Sequence, residues 1–181
     1  MRHDRLIENI KDQIKEAQMK LGYTKESLRF YYPVDTLKSM LRVDASNADE
    51  MLEILGSEMF QNTELGKLSF ASHKHRIEVS VSPEGAEYVH KNMEEPKFLK
   101  ALIALFGTNH HCKMEDVDAL FKSFSPNYIC KKMPESCDFD VVFYFADWKI
   151  DAYYYCVKEE MGHTIYHRFT REDMVELLKD E

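Results

Sequence analysis

Apolar and polar residues alternate with a period of two in two neighbouring segments between residues 65 and 89. The apolar positions are Leu68 and Phe70 in the first segment and Ile77, Val79 and Val81 in the second. This alternation predicts a two-stranded β-hairpin with one buried face. Ser82 and Pro83 follow directly and predict a helix start, because serine accepts hydrogen bonds from free backbone N–H groups and proline suits the first helical turn.

Upstream of the hairpin, apolar residues recur every three or four positions, which is the spacing of one helix face. They predict a helix from Asp4 to Leu21 that ends at Gly22, and a short helix from Thr24 to Tyr32. Two further helices are predicted to begin near Asp35 and near Ser46 or Asn47, the second burying Met51, Leu52, Leu55 and Met59. The N-terminal half is therefore expected to hold helices, a hairpin and another helix.

The C-terminal half begins after a junction at residues 94–96, and helix spacing predicts two helices within residues 98–106 and 115–124. Three runs rich in β-branched and aromatic residues follow, at 139–145, 150–157 and 163–169, and their short links predict an antiparallel meander. The segment 128–133 fits either a helical turn or a strand. Thr170, with Asp173 three residues later, predicts the cap of a closing helix.

These elements predict an α+β fold with one domain over residues 1–93 and a second, with aromatic-rich antiparallel strands, over residues 94–181. A chain of 181 residues can bury two cores, and an apolar content of 44% is typical of a soluble globular protein. No apolar run is long enough to span a bilayer, and the N-terminus is too polar for a signal peptide. A cytoplasmic protein without membrane contact is the expectation.

The formal net charge of −8 is unevenly distributed, with −2 on residues 1–93 and −6 on residues 94–181. DNA binding depends on neutralising phosphates, so an acidic chain must concentrate its cations on one face to bind DNA at all. The second half is a poor candidate for that role. The cysteines form no CxxC pair and are expected to be separate reduced thiols; they are Cys112, Cys130, Cys137 and Cys156.

The order of helices and hairpin over residues 5–93 resembles winged-helix domains. The first strand of the hairpin is preceded by Leu65-Gly66 and begins near Leu68, and the second strand is followed by Ser82-Pro83-Glu84-Gly85. A strand followed by Thr/Ser-Pro-Glu-Gly and a helix occurs after the wing in many such domains. The resemblance implies a winged-helix-like unit in which the hairpin is the wing. A longer helix-rich domain with an incidental hairpin is the alternative.

In winged-helix proteins that bind DNA, the wing tip often touches phosphate or the minor groove. The resemblance therefore makes the wing turn, His73, Lys74, His75 and Arg76, the first candidate for nucleic-acid binding. It also implies that Lys25 and Arg29, in the segment 24–32, could contact the DNA backbone. The helix that would enter the groove carries four carboxylates, Asp49, Glu50, Glu53 and Glu58, which repel phosphate. A solvated hairpin tip is the interpretation that these carboxylates favour.

The C-terminal half repeats the order of helices, strands and helix, so a second, degenerate winged-helix-like unit and a plain α+β domain both remain open. Its segments FDVVFYFADWKID, YYYC and IYHRFT also resemble an uncharacterised bacterial family of unknown function. That likeness implies no activity.

Several polar side chains of the C-terminal half could form a ligand-binding or proton-transfer group if two strand faces met. The candidates for a ligand or partner are Trp148, Asp151, Tyr153, Tyr155, His163 and His167. Tyrosine and histidine are also common on half-exposed sheet surfaces, and a structural role is the interpretation we favour. The carboxylates Asp138, Asp140, Asp147 and Asp151 lie where strand ends and turns need local hydrogen bonds.

His110, His111 and Cys112 form a cluster of potential metal ligands, but structural zinc sites use paired ligands from two segments. We therefore predict no metal. The sequence contains no Gly-rich phosphate loop, no GxSxG and no HExxH, so no catalytic residue and no cofactor is predicted.

The leading hypothesis is a non-enzymatic protein that binds another protein or itself, with a homodimer as one outcome. Nucleic acid is disfavoured as a partner by the acidic charge. The alternative is a DNA-binding transcription regulator that uses the basic wing, with a sensing or dimerising C-terminal half. A small enzyme or metal protein is the third hypothesis.

Overall fold

The computed structural model describes residues 4–56, 60, 63–108 and 111–177, and it has the predicted α+β fold. The chain divides into two compact units, Met1–Glu95 (unit 1) and Pro96–Glu181 (unit 2). The elements of unit 1 are α1 (Asp4–Leu21), β1 (Leu28–Pro33), α2 (Val34–Leu41), α3 (Ala48–Leu55), β2 (Ser69–His73), β3 (Arg76–Val81) and α4 (Pro83–Asn92). Those of unit 2 are α5 (Lys97–Thr108), α6 (Met114–Phe124), β4 (Tyr128–Lys132), β5 (Val141–Phe145), β6 (Tyr154–Glu160), β7 (His163–Phe169) and α7 (Arg171–Leu177).

Helix α1 confirms the predicted helix, including its end at Gly22. Gly22 has a φ of 84°, and its N–H donates to the carbonyl of Gln18 over 2.9 Å. A left-handed residue at this position is the usual way to satisfy the last helical carbonyls. Leu6, Ile10 and Ile14 of the predicted apolar face lie fully inside the core, whereas Leu21 at the end of that face is 86% exposed.

The segment Leu28–Pro33 is strand β1, so the short helix predicted over residues 24–32 is wrong. β1 pairs antiparallel with β3, and Tyr32 lies opposite Ile77. Tyr32 is buried and its hydroxyl donates to Asn9 Oδ1 over 2.7 Å. The segment becomes a strand because pairing with β3 satisfies its backbone and buries every second side chain, which outweighs local helix propensity.

The hairpin is confirmed: β2 and β3 pair antiparallel, and the inner-face residues Ile77, Val79 and Val81 are fully buried. His73 pairs with Arg76, which leaves a two-residue turn in which Lys74 has a φ of 57°. Together with β1 they form a three-stranded sheet in the order β1-β3-β2.

Helix α4 begins as the serine-proline step predicts. Ser82 Oγ accepts a hydrogen bond from the N–H of Gly85 over 3.3 Å. α4 packs against α1, where Gln18 Nε2 donates to the carbonyl of Ala86 over 2.8 Å. The helix that begins at Ser82-Pro83 therefore joins the end of the hairpin to α1.

Helix α3 is capped by Asn47, whose side chain accepts hydrogen bonds from the N–H groups of Asp49 and Glu50, each over 3.0 Å. Met51 and Leu55 are fully buried, as predicted, whereas Leu52 is only half-buried and Met59 lies outside the described residues. The cap fixes where the helix begins and so which side chains it turns outward.

The meander of unit 2 is confirmed as a four-stranded antiparallel sheet in the order β4-β5-β6-β7. The ambiguous segment at 128–133 supplies strand β4, while β6 begins at Tyr154 rather than at residue 150. Met161 and Gly162 link β6 to β7 with φ values of 52° and 78°. Two successive positive φ angles match the right-handed twist of a tight hairpin.

Both faces of this sheet are covered by helices. On one face, rings from α5, α6 and the sheet form an aromatic core; they are Phe98, Phe121, Phe143, Phe145 and Tyr155. On the other face, Met174 of α7 packs on Cys156 and Val142. Thr170 and Asp173 cap α7 reciprocally, since each side chain accepts a hydrogen bond from the other's N–H.

The four cysteines are free thiols, with Cys112 and Cys156 buried and Cys130 exposed. Burial raises the pKa of the Cys156 thiol to about 12. Among the helices described here, none combines the length and the apolar composition needed to cross a membrane.

Candidate functional site

The predicted wing turn is an exposed basic tip. His73, Lys74, His75 and Arg76 are all exposed, and we call these four residues the basic tip. Paired strands β2 and β3 hold the tip on both sides, so its cations project from a fixed support rather than from a loose loop.

An exposed tyrosine lies beside the basic tip. Tyr31 of β1 is 41% exposed, and its ring centre is 5.1 Å from that of His73. Tyr31 is not among the site residues predicted from the sequence, because residues 24–32 were predicted to form a helix. The alternation of Leu28, Phe30 and Tyr32 was the signal that could have found it.

The two other predicted DNA contacts are paired with carboxylates. Lys25 Nζ lies 2.9 Å from Glu87 Oε2, and Arg29 Nε lies 3.6 Å from Glu78 Oε1. The hydrogen bond to Glu87 raises the pKa of Lys25. Both cations already have a counter-charge within unit 1, so they add less positive potential than their number indicates.

Helix α3 presents carboxylates to solvent. Asp49, Glu50 and Glu53 are exposed, and we call these three residues the acidic helix face. Glu50 Oε2 also accepts a hydrogen bond from the N–H of Ser46 over 2.7 Å. The fourth predicted carboxylate, Glu58, lies outside the described residues.

The basic tip and the acidic helix face occupy neighbouring elements of unit 1, because α3 packs against β2, whose last residue is His73. Within the described residues, Lys74, Arg76, Asp49 and Glu53 take part in no ion pair. The described part of unit 1 therefore carries two patches of opposite sign, and the four charged groups named above form no ion pair there.

In unit 2, the structure brings together Asp151 and two of the predicted tyrosines. The Tyr155 hydroxyl donates to Asp151 Oδ2 and the N–H of Tyr153 donates to Asp151 Oδ1, each over 2.9 Å. Tyr155 is fully buried and Asp151 is 9% exposed. Arg168 lies over the Tyr153 ring, with its Cζ 4.0 Å from the ring centre. This buried group orders the chain that enters β6.

The two predicted histidines are not brought to this group. His167 lies opposite Cys156, whereas Tyr155 lies opposite Arg168. Successive residues of a strand point to opposite faces, so His163 and His167 lie on the other face of the sheet from Tyr155. Both histidines are exposed.

Trp148 lies in the link between β5 and β6 and is 56% exposed. The guanidinium of Arg171 lies over the Trp148 ring, with its Cζ 5.2 Å from the ring centre. Large aromatic side chains exposed in this way are common at the centre of protein–protein contacts.

The remaining polar candidates do not assemble into a metal site. His111 is exposed, Cys112 is buried, and His110 lies outside the described residues. Asp140 and Asp147 accept hydrogen bonds from the backbone N–H groups of Glu159 and Lys149. In the part of the chain that the structure describes, no three histidine, cysteine, aspartate or glutamate side chains are placed to hold an ion.

The fold and these surfaces define an α+β protein with a charged N-terminal unit and an aromatic C-terminal sheet. A family model described as "Domain of unknown function, E. rectale Gene description (DUF3877)" matches residues 3–178. The chain therefore belongs to the DUF3877 family, and the likeness predicted for the C-terminal half extends over both units. No curated protein and no solved structure matches the chain.

Proposed function

We propose that unit 1 is a winged-helix-like scaffold. Its elements follow the order α1, β1, α2, α3, β2, β3, in which a helical pair precedes a hairpin. The hairpin passes through Ser82-Pro83-Glu84-Gly85 into α4, as the resemblance implies. In this arrangement α3 corresponds to the helix that would face a DNA groove, and the basic tip corresponds to the wing.

We further propose that the scaffold binds protein rather than DNA and performs no catalysis. The acidic helix face is the observation that supports this proposal. A helix that enters a DNA groove lies between two phosphate backbones, so exposed carboxylates on it repel the duplex and oppose the attraction from the tip. The exposed Trp148 of unit 2 is an additional candidate contact for a protein partner.

The second candidate function is DNA binding by a transcription regulator. The basic tip favours it, because Lys74 and Arg76 are exposed and form no ion pair with the described residues. If this function is correct, phosphate contacts by the tip must outweigh the carboxylates of α3.

A duplex titration separates the two functions. Fluorescence anisotropy of a labelled duplex of roughly two helical turns, in about 50 mM salt, gives the strongest phosphate attraction. We expect no measurable binding by the wild-type chain and measurable binding by the variant Asp49→Lys with Glu53→Lys, because two repulsive charges become attractive.

The matched control is Glu135→Lys with Asp138→Lys, which changes the net charge equally on exposed residues of unit 2. A similar gain in this control would show that net charge, and not the helix face, governs binding. Salt-sensitive binding by the wild type that is lost in Lys74→Ala with Arg76→Ala would overturn the proposal and establish the second function.

A further inference from the structure

We propose that Cys137 and Cys156 of unit 2 are a reactive thiol pair that a hydroperoxide oxidises to a disulfide. The new bond joins the link between β4 and β5 to strand β6. The reaction takes place within unit 2 and does not depend on the partner of unit 1.

Cys156 lies on the inner strand β6, on the sheet face that α7 covers. Its side chain is fully buried, and its thiol donates to Sδ of Met174 over 3.5 Å. Burial raises the pKa of this thiol to about 12. A buried, protonated thiol is inert towards oxidants in solution. Cys156 can therefore react only with a group that the protein itself places beside it.

The link between β4 and β5 places Cys137 on the same face. Cys137 is half-buried and packs against the small core that contains Cys156 and Met174. Two residues later in the chain, the Phe139 ring centre lies 5.3 Å from that of His167, and His167 lies directly opposite Cys156 in the sheet. The link thus crosses the sheet at the position of Cys156.

Hydrogen bonds hold the end of this link to β6. The N–H of Asp140 donates to the carbonyl of Val157, the residue after Cys156, over 3.0 Å. Asp140 Oδ2 also accepts from the N–H of Glu159 over 2.9 Å. After burial, the Cys137 thiol is the second cause of the raised pKa of Cys156, so the two sulfur atoms are close enough to interact.

The sheet separates this pair from the other two cysteines. Cys130 lies opposite Phe143, on the face of the aromatic core, and successive strand residues point to opposite faces. The carbonyl of Cys112 accepts a hydrogen bond from Thr164 Oγ1 over 2.6 Å, and Thr164 points to the aromatic-core face as well. The fold therefore favours one pairing, between Cys137 and Cys156.

The half-buried thiol reacts first, because the oxidant can reach it. The sulfur of Cys137 attacks one oxygen of hydrogen peroxide, so that an S–O bond forms, the O–O bond breaks and the leaving hydroxide takes the thiol proton to become water. The sulfur of Cys156 then attacks the resulting sulfenic acid. The S–S bond forms, the S–O bond breaks, and the hydroxide leaves as water with the proton of Cys156. Two thiols and one peroxide thus give one disulfide and two water molecules.

Peroxide oxidation of the full chain in native buffer tests the pairing. The parent protein carries Cys130→Ser, which removes the exposed thiol and any disulfide between chains through it. After oxidation and blocking of free thiols with N-ethylmaleimide, the intact mass should show two unblocked cysteines and the loss of two hydrogen atoms. Non-reduced tryptic peptides should show residues 133–149 joined to residues 150–158, and dithiothreitol should separate them.

Single substitutions in this parent assign the two roles. Cys137→Ser should form no disulfide and should leave Cys156 unmodified, because that thiol is buried. Cys156→Ser should stop at the sulfenic acid of Cys137, which dimedone traps. Cys156→Ala should give the same product without a buried hydroxyl in the core. The matched control is Cys112→Ser, which removes a buried thiol outside the pair and should form the disulfide at the rate of the parent.

A parent chain in which Cys137 and Cys156 both remain free thiols overturns the inference. A disulfide from either of them to Cys112 overturns it too, and so does a link that forms only in urea, where the native placement is lost. Disulfides close only between cysteines whose Cα atoms lie within about 7 Å, so the link in native buffer measures that placement. Circular dichroism before oxidation verifies that each variant is folded.

Discussion

Gly85 shows how a single residue fixes the joint between the hairpin and α4. A Cβ atom built there would lie 2.5 Å from the carbonyl oxygen of Leu65 and 2.6 Å from Val81 Cγ1. Real contacts of this kind are not that short, so any side chain would force the backbone apart. The glycine of the Ser-Pro-Glu-Gly step is required by close packing.

We expect Gly85→Ala to lower the free energy of unfolding by about 1–3 kcal/mol, the usual cost of overpacking. Urea denaturation followed by circular dichroism measures it. Gly107→Ala is the matched control, because a Cβ there meets no atom within 4 Å and alanine favours α5 by about 0.5–1 kcal/mol. Equal effects of the two substitutions would contradict the packing explanation.

Glu87 links two lysines on the surface of unit 1. Hydrogen bonds from Lys91, at 2.5 Å, and Lys25, at 2.9 Å, lower the pKa of the Glu87 carboxyl from 4.5 to about 2. A carboxyl whose folded pKa is depressed stabilises the fold above its unfolded pKa. This contribution is lost as the pH falls from about 4.5 towards 2.

Carbon-detected NMR titration of the side chain should therefore place the pKa of Glu87 near 2, and Lys91→Met should raise it. The thermal stability of the wild type should fall more than that of Glu87→Gln between pH 4.5 and pH 2. A Glu87 carboxyl that titrates at its ordinary value in the wild type would show that the two lysines do not hold it in solution.

Local sequence signals predicted most of the helices and strands. Apolar spacing predicted α1 and the hairpin, the serine-proline start predicted α4, and β-branched and aromatic composition predicted the unit 2 meander. Strand β1 was not predicted, because its strand character depends on pairing with β3, which is distant in sequence. In this pairing Leu28 lies opposite Val81 and Pro33 lies opposite Arg76. Non-local pairing of this kind leaves only a weak trace in a six-residue segment.

The candidate surfaces were predictable to different degrees. The basic tip could be read from the sequence, since its four residues are contiguous at a turn between two clear strands. The sequence could not show that Asp151 groups with Tyr155 and not with His167. A shift of one residue in the pairing of β6 with β7 would move every side chain of β7 to the other face of the sheet. The charge of α3 was readable, but its exposure required the structure.

The Tyr155 hydroxyl supports Asp151 in the aromatic sheet of unit 2. Tyr155→Phe should lower the free energy of unfolding by about 1–3 kcal/mol, since a buried carboxylate loses a hydrogen-bond donor. Tyr144→Phe is the control: that ring is half-buried and packs at a tilt against Tyr154, and a change within about 0.5 kcal/mol is expected. Equal losses in chemical denaturation would refute the role assigned to the Tyr155–Asp151 bond.

The DUF3877 family model spans both units, so the family is defined by the two units together and not by either one alone. Our proposal that the partner is not a polyanion is based on the net charge of −8 and on the acidic helix face, because like charges repel. We therefore propose a protein partner, on the basis of the opposite patches of unit 1 and the exposed Trp148 of unit 2. The DNA partner that a winged-helix-like scaffold would imply is the alternative proposal.

We propose that the carboxylates of α3 prevent unit 1, with its proposed winged-helix-like scaffold, from binding DNA. Duplex anisotropy at about 50 mM salt, comparing the wild type with Asp49→Lys plus Glu53→Lys, tests it most directly. We predict no binding by the wild type and a clear gain in the variant that exceeds the gain of the unit 2 control. Salt-sensitive duplex binding by the wild-type chain, abolished by Lys74→Ala with Arg76→Ala, would contradict the claim.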